Sequence, residues 1–511
     1  MSFFNRLFSR LARAVLPDER TVGARALLLS KSKYLAGLQC AKALWIHYNN
    51  KALIPEPDAS TRALFDQGHD VGLLAQKLFH EGIRIGYADS LDETIKSTRN
   101  TLSKRRPLFE PAFSYKRCFS RADILDPVEH NRWDIIEVKS STDVKQVHLH
   151  DLAFQRYVYD GAGLFIRNCY LWHVNKSYVR FGAIDHAGFF SKIDVTNDVA
   201  ALVPEVEARV TDMLQIIDLQ KCPNIRISPH CDDPYECALK PICWSVLPQP
   251  NVFDLRNCRQ KRWDLFARGV LRLEEIPGDF ALSDPQSRQV AAHRNRLPHI
   301  DRGAIRRFIE RLVYPLYFLD FETIFPAIPL FDRSKPYGQI PFQFSLHVKT
   351  TPAAEPQHYG FLADGCGDPR PAFLTELKRL LGVNGSIVSY NTKFEVARLS
   401  ECAGFFPEYQ SWCDSTLPRF IDLLDVFNSL DYYHPAQSGS ASLKAVLPAL
   451  TGKSYGGLKI QDGEAAGREF MRITFGEIGL DKRQQVRRQL EAYCRQDTQA
   501  LIDILLALEQ L

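Results

Sequence analysis

The chain has 511 residues, 45% of them hydrophobic, and a formal charge of +4; it is too long for one ordinary domain and ample for two or three cores. So balanced a charge neither demands nor excludes nucleic acid, because local patches decide that binding. Twelve cysteines in so long a chain do not look like a secreted disulfide scaffold and favour the cytoplasm with some cysteines on metal, and no apolar run reaches the ~20 residues of a membrane-spanning helix.

In chain order, residues 1–24 predict an amphipathic helix, with Phe4, Leu7, Phe8 and Leu11 opposite Arg6, Arg10 and Arg13. It is expected to dock loosely on the protein in preference to a membrane surface or a partner. LLLSKSKYLAGLQCAKALWIHYN predicts one helix carrying Cys40. The next helix, ALFDQGHDVGLLAQKLFHEG, sets Leu64, Val71, Leu74 and Leu78 at helical spacing and leaves His69 and His80 at the surface. Several strands follow in RRPLFEPAFSYKRCFSRADILDPVEHNRWDIIEVKSS, with a turn around residues 127–131.

In WDIIEVKS, residues two apart share a face, so Glu137 and Lys139 project together from an otherwise apolar strand. Burying either charge unpaired is costly. A surface hairpin with an incidental ion pair satisfies that condition. So does a metal-dependent phosphodiesterase site in which Asp123 and Glu137 hold a divalent cation while Lys139 orients water or offsets phosphate charge. Glu110 stands just ahead of these strands. VHLHDLAFQRYVYDGAG predicts a helix with Gln155 and Tyr159 one turn apart, and NCYLWHVN another core strand. Strand, strand, helix, strand in this order implies an α/β core. A polar helix is expected from about Pro204.

HCDDPYECALKPICW carries Cys231, Cys237 and Cys243 at equal intervals among acidic, aromatic and proline residues. Thiols packed so closely in a reducing compartment point to a metal or cluster, with Cys40 as the fourth ligand. Zinc is the rival to an iron–sulfur cluster, because the ligands alone do not separate them. A mostly helical, basic connector is expected over 251–312.

The last unit, 313–511, begins with YPLYFLDFETIFPAIPL, a strand presenting Asp320 and Glu322 on one face. Two such carboxylates repel and are uphill to bury unless a cation shares them. SIVSYNTKFEVARLS adds Glu395 beside a turn at Asn391, FIDLLDVF adds Asp422 and Asp425, and the late helix sets Tyr493 and Asp497 one turn apart. Asp320, Glu322, Glu395 and Asp497 with Tyr493 have the makings of a two-cation site with a water-positioning tyrosine. GKSYGG lacks the full phosphate-loop pattern.

Taken together, LSKSKYLAGLQC, Arg121-Ala122-Asp123, Glu137-Val138-Lys139 and Gln155 with Tyr159 resemble the Cas4 and RecB-type PD-(D/E)XK nucleases over 25–250. Cys40, Cys231, Cys237 and Cys243 match the positions that hold a four-iron, 4Fe–4S cluster in those proteins. Residues 313–511 resemble the DUF2779 region and the DEDD exonucleases of the ribonuclease H-like fold: DFE matches their first motif, YNTKFE the second and YCRQD the tyrosine-type third. The resemblance implies an α/β chain with a PD-(D/E)XK nuclease-like domain plus a ribonuclease H-like domain, and Mg or Mn at both sites. Asp123 and Glu137 hold metal in the first, aided by Glu110 and the Val138 carbonyl; Lys139 handles the nucleophile, and Gln155 and Tyr159 the substrate backbone. Asp320, Glu322, Glu395 and Asp497 hold metal in the second, and Tyr493 aligns water. Single-stranded DNA is the substrate it implies. Two positions depart: Gly72 stands where the first family has a metal-binding histidine, and Glu395 where the second has aspartate. A nucleic-acid-binding or scaffold protein with decayed sites and an RNA exonuclease led by the C-terminal unit are the rival readings.

Overall fold

A computed structural model describes residues 27–86 and 90–511; the amphipathic helix expected at 1–24 lies outside them. The chain is α/β, with mixed sheets and many helices. The first large sheet contains β1 (Ile83–Arg84), β2 (Leu108–Phe109), β3 (Ile124–Pro127), β4 (Arg132–Lys139), β5 (Phe165–Val174) and β6 (Phe190–Asp194), adjacent in chain order. Neighbours run antiparallel except β1 with β2 and β4 with β5. A small three-stranded sheet joins Leu29–Ser30 to Cys118–Arg121 and Ala112–Tyr115.

The helices of this half are α1 (Lys31–Gln39), α2 (Ala41–Asn49), α3 (Ala59–Gln76), α4 (Gln146–Gly161) and α5 (Thr196–Asp218). Helix α4 is the crossover between parallel β4 and β5, and it packs Leu152, Phe154 and Val158 against Trp133 and Ile135. Val71, Leu74 and Ala75 of α3 pack with Ile136 and Val138. Covered on both sides, β4 is buried at every position from Trp133 to Val138, and Trp133, Ile135, Ile136 and Val138 supply its apolar contacts while Asp134 and Glu137 are buried charges.

Three expectations give way here. The helix drawn through Cys40 is two helices: Cys40 is extended, φ −158°, capping the end of α1 and the start of α2. Pro204 does not begin a helix but lies inside α5. Leu64 is 59% exposed, because α3 buries its apolar stripe only from Val71 onward.

Residues 251–312 form short 3-10 turns and the helices Lys261–Ala267 and Asp284–Asn295 around a small core of their own, and the helix Arg302–Glu310, whose Ile305 and Phe308 join the core of the last unit. His299–Ile300 pairs with Tyr432–Tyr433 and ties this segment to the last unit.

The second sheet has β7 (Leu316–Ile324), β8 (Ile340–Lys349), β9 (Gln357–Leu362), β10 (Ile387–Ser389) and β11 (Phe420–Asp422), in the order β9-β8-β7-β10-β11. The first three strands are an antiparallel meander, and β10 and β11 continue parallel to β7. Its helices include α6 (Lys393–Phe405), α7 (Leu443–Thr451), α8 (Gly463–Phe475) and α9 (Leu480–Glu509). Tyr317, Leu319 and Phe321 pack on one side against Phe373, Leu377 and Leu399. Leu316 and Phe318 pack on the other against Leu501, Ile504 and Leu505 of α9. Alternation therefore sends Asp320 and Glu322 to the face that α9 covers.

The loop between β7 and β8 packs on the first half. The Ala327 amide donates to Gln67 Oε1 at 3.1 Å, Arg180 reaches Leu330 O at 2.6 Å, and the Tyr337 hydroxyl donates to Ser140 O.

Candidate functional site

Two clusters of buried carboxylates and one of thiols stand out. In the first, Lys139 Nζ lies 2.6 Å from Glu137 Oε1 and 2.7 Å from Asp151 Oδ2. Gln155, one turn after Asp151 on α4, donates to Glu137 Oε2 at 2.7 Å and to Asp151 Oδ1 at 3.0 Å. Lys31 at the start of α1 closes the network, 2.8 Å from Glu137 Oε1 and 3.6 Å from Asp151 Oδ1. Burial alone would raise the Glu137 carboxyl, but Lys139 and Lys31 outweigh it and hold that group well below the usual range.

Asp123 sits in the break between Cys118–Arg121 and β3, and its Oδ2 accepts from the Val138 amide at 2.7 Å. Burial, then the charge of Glu137, pushes its carboxyl up to about 7. Glu110 holds a left-handed backbone, φ 57°, and lies 3.5 Å from Arg121 Nε. The hydroxyl of Tyr159 is spent on the fold: it donates to Pro111 O at 2.7 Å and accepts from the Ala122 amide at 2.8 Å. It braces the segments that carry Glu110 and Asp123 instead of facing a substrate, and Gln155 is likewise fully buried. A Cβ built on Gly72 would meet nothing within 4 Å, so the space where a histidine would start is open.

The second cluster lies where β7 ends. A register shift between Glu322 and Thr323 marks a bulge, a device that re-aims side chains at a strand end. Asp320, Glu322 and Cys494 place one ligating atom each within 4.8 Å of one another, a set able to hold a metal ion. Asp320, Glu322, Tyr493 and Asp497 all line one cavity of about 390 Å³, with Lys444 and Tyr390. The Tyr455 hydroxyl donates to Asp497 Oδ1 at 2.6 Å, and Lys444 Nζ stands 3.5 Å from the Tyr493 hydroxyl.

Glu395, in the first turn of α6, does not line that cavity, which its neighbour Phe394 does; it is 2% exposed, with Oε2 lacking a hydrogen-bond partner among the described residues. Burial lifts its carboxyl to about 8 and that of Asp497 to about 6. Asp320 and Glu322 are raised well above the usual range, by burial first and then by Asp497. So much uncompensated negative charge in one place is the electrostatic signature of a cation site. Asp422 is otherwise engaged: it accepts from the amides of Asn391, Thr392 and Leu424 and shapes the turn before α6.

Cys40, Cys231, Cys237 and Cys243 line one small cavity. The break between α1 and α2 puts Cys40 at the cavity wall, and Gln39 fastens it by donating to His230 O at 2.9 Å and Tyr235 O at 2.7 Å. Burial raises the thiols of Cys40 and Cys237. Cys118 and Cys169 are fully buried core residues, and Cys222 borders the group from outside the cavity.

Residue patterns missed Lys31, Asp151, Tyr455, Lys444 and Cys494. Asp151 was within reach, since it precedes Gln155 by one helical turn. Tyr455 and Lys444 carry no spacing signal, because they arrive from separate loops and helices.

A family model described as "Domain of unknown function (DUF2779)" matches residues 317–442. Among curated proteins, "Uncharacterized protein MG366 homolog" of Mycoplasma pneumoniae is 30% identical over 208 residues, 37% of this chain and 31% of that protein. "Uncharacterized protein MG366" of Mycoplasma genitalium is 27% identical over 215 residues, 38% of this chain and 32% of that protein. The chain thus spans about a third of the length of the curated relatives it matches. A solved structure titled "Crystal structure of SSO0001" covers 43% of this chain and 86% of its own at 12% identity, with a TM-score of 0.20. The family match takes in Asp320, Glu322 and Glu395 and stops short of Tyr493 and Asp497. Residues 317–442 are a DUF2779-family domain.

Proposed function

We propose that the chain is a cytoplasmic, metal-dependent nuclease that hydrolyses phosphodiester bonds as an exonuclease on single-stranded DNA. The observation that carries this is the convergence of Asp320, Glu322, Asp497 and Tyr493 on one cavity, with Glu395 near enough for its charge to act on Asp320. These residues come from a strand, a helix start and a C-terminal helix, and each alone has a bland explanation. Their donor set, oxygen-rich and repelled by its own charge, suits Mg or Mn. A divalent cation held by Asp320, Glu322 and Asp497, with Glu395 nearby, supplies charge stabilisation on the phosphate oxygens. Tyr493 orients the attacking water, and Lys444 beside it offsets phosphate charge. The sheet order supports a ribonuclease H-like reading of 313–511.

In the same reading 25–250 is a PD-(D/E)XK nuclease-like domain and 251–312 the connector. Asp123 and Glu137 are its metal ligands, Lys139 handles the nucleophile, and Gln155 holds Glu137 in place. The four cysteines fit a 4Fe–4S cluster that staples α1 and α2 to residues 231–243; their donor set also suits zinc. One observation favours a second reading for this half: Lys31 and Lys139 already neutralise Glu137 and Asp151, and no side chain projects at Gly72. A domain so arranged binds nucleic acid and leaves cutting to the C-terminal site.

The test is anaerobic purification followed by end-labelled DNA and RNA strands in Mg, Mn or EDTA. Metal-dependent shortening of DNA from one end is expected. Shortening of RNA alone moves the substrate to RNA, and no cleavage of either strand in any metal refutes the nuclease reading.

A further inference from the structure

On the other side of α9 from Tyr493 there is a second cavity, about 430 Å³, between that helix and strands β8 and β9. Its origin is legible in the pairing. Ser345 and Gly360 are direct partners, and both sit on the face that α9 covers. Where larger residues would fill the space beneath the helix, these two leave it open. The volume lies within the roughly 300–1,000 Å³ of small-ligand sites.

The chemistry of the wall is cationic and hydrogen-bonding. Arg488 and Arg495 line it from α9, two helical turns apart and about 10 Å along the axis. Neither guanidinium has a hydrogen bond or ion pair to another described residue. His358 lines it from β9, its Nε2 3.0 Å from Ser345 Oγ, which is itself 2.7 Å from Thr498 Oγ1. Gln343, 2% exposed, spends its amide nitrogen on Leu490 O at 2.9 Å and leaves its oxygen with no partner among the described residues. Glu491 stands on the helix between the two arginines and offers a second acceptor.

Guanidinium groups beside an imidazole suit a phosphate, and Arg is the side chain best matched to it. The Glu491 carboxylate suits an N–H or O–H group of a sugar or base. We propose that this cavity binds a nucleoside phosphate, with the phosphate at Arg495 and His358 and the nucleoside lying over Gly360 towards Arg488. The ligand is either a free mononucleotide or the phosphorylated end of a strand; both present the same chemistry. The site stands apart from the nuclease reading, since it needs neither metal nor turnover.

The experiment is calorimetric titration of the full chain in EDTA with dAMP, a 5′-phosphorylated tetranucleotide, deoxyadenosine and inorganic phosphate. The dAMP or the tetranucleotide should bind, and deoxyadenosine at least tenfold more weakly; whichever phosphorylated ligand binds tighter identifies the source. Arg495→Gln, an exposed change, should weaken binding at least tenfold. Gly360→Val should abolish it, because a Cβ there meets only His358 Cε1 at 3.6 Å and Phe344 O at 3.7 Å and the rest of the side chain enters the cavity. Asp497→Asn should leave it intact. The proposal is overturned if no phosphorylated ligand binds at millimolar concentration, if deoxyadenosine binds as well as dAMP, or if Arg495→Gln has no effect.

Discussion

Replacing Asp497 by Asn should make the metal-free protein more stable, the reverse of what deleting a buried polar contact normally does. Burial lifts the Asp497 carboxyl from its ordinary 3.8 to about 6. At about 1.4 kcal/mol for each pH unit, the ionised folded state carries about 3 kcal/mol of penalty. The sign follows from proton binding. Between pH 4 and 6 the folded chain holds a proton that the unfolded chain has released, so stability is full below about pH 4 and is lost as the pH rises through 6.

Asparagine keeps the shape and still accepts from Tyr455, but carries no charge. In EDTA at pH 8 its advantage should approach that ~3 kcal/mol, or roughly 5–10 °C in melting temperature for a domain of this size. It should shrink to about half at pH 5. Saturating Mn should then stabilise the wild type, by about 2.7 kcal/mol at a hundredfold excess over Kd, and leave the variant unmoved. Thermal melts of both proteins at the two pH values, with EDTA and with Mn, measure all of this. A variant no more stable than the wild type in EDTA at pH 8, or one stabilised equally by Mn, refutes the view of these carboxylates as a cation site.

Tyr493→Phe should slow Mn-dependent removal of terminal nucleotides about tenfold, the worth of one hydrogen bond of about 1.4 kcal/mol, whereas Asp497→Asn should abolish it; equal losses in end-labelled digestion would deny the tyrosine its separate role. Glu137→Gln should end any cleavage that survives Asp497→Asn, and should lower stability by about 1.5–3 kcal/mol, since Lys31 and Lys139 both lose a charged acceptor; urea unfolding reads the second effect. Cys237→Ala should yield colourless protein without iron or labile sulfide and less of it soluble, because cluster binding is part of the folding free energy. Zinc in place of iron in the wild type would reassign the cofactor and keep the thiol site.

Period-two alternation in β4 and β7 was enough to pair Glu137 with Lys139 and Asp320 with Glu322, because strand side chains have no other way to point. Helical spacing likewise put Tyr493 and Asp497 on one face of α9. The equal intervals of Cys231, Cys237 and Cys243 singled out three residues that line one cavity. What such patterns lack is distance across the chain. Only the tertiary structure decided that the chain breaks at Cys40 between α1 and α2 and puts it on the wall of the cavity that the other three cysteines line, a break that no propensity at Gln39-Cys40-Ala41 announces. It also decided that Lys31 lies on Glu137, that Tyr159 serves the fold, and that Tyr455 and Lys444 stand beside Asp497. A sequence pattern records which neighbours a residue has along one element; a buried charge is settled by whatever groups other elements bring within a few ångströms, and those are chosen by packing.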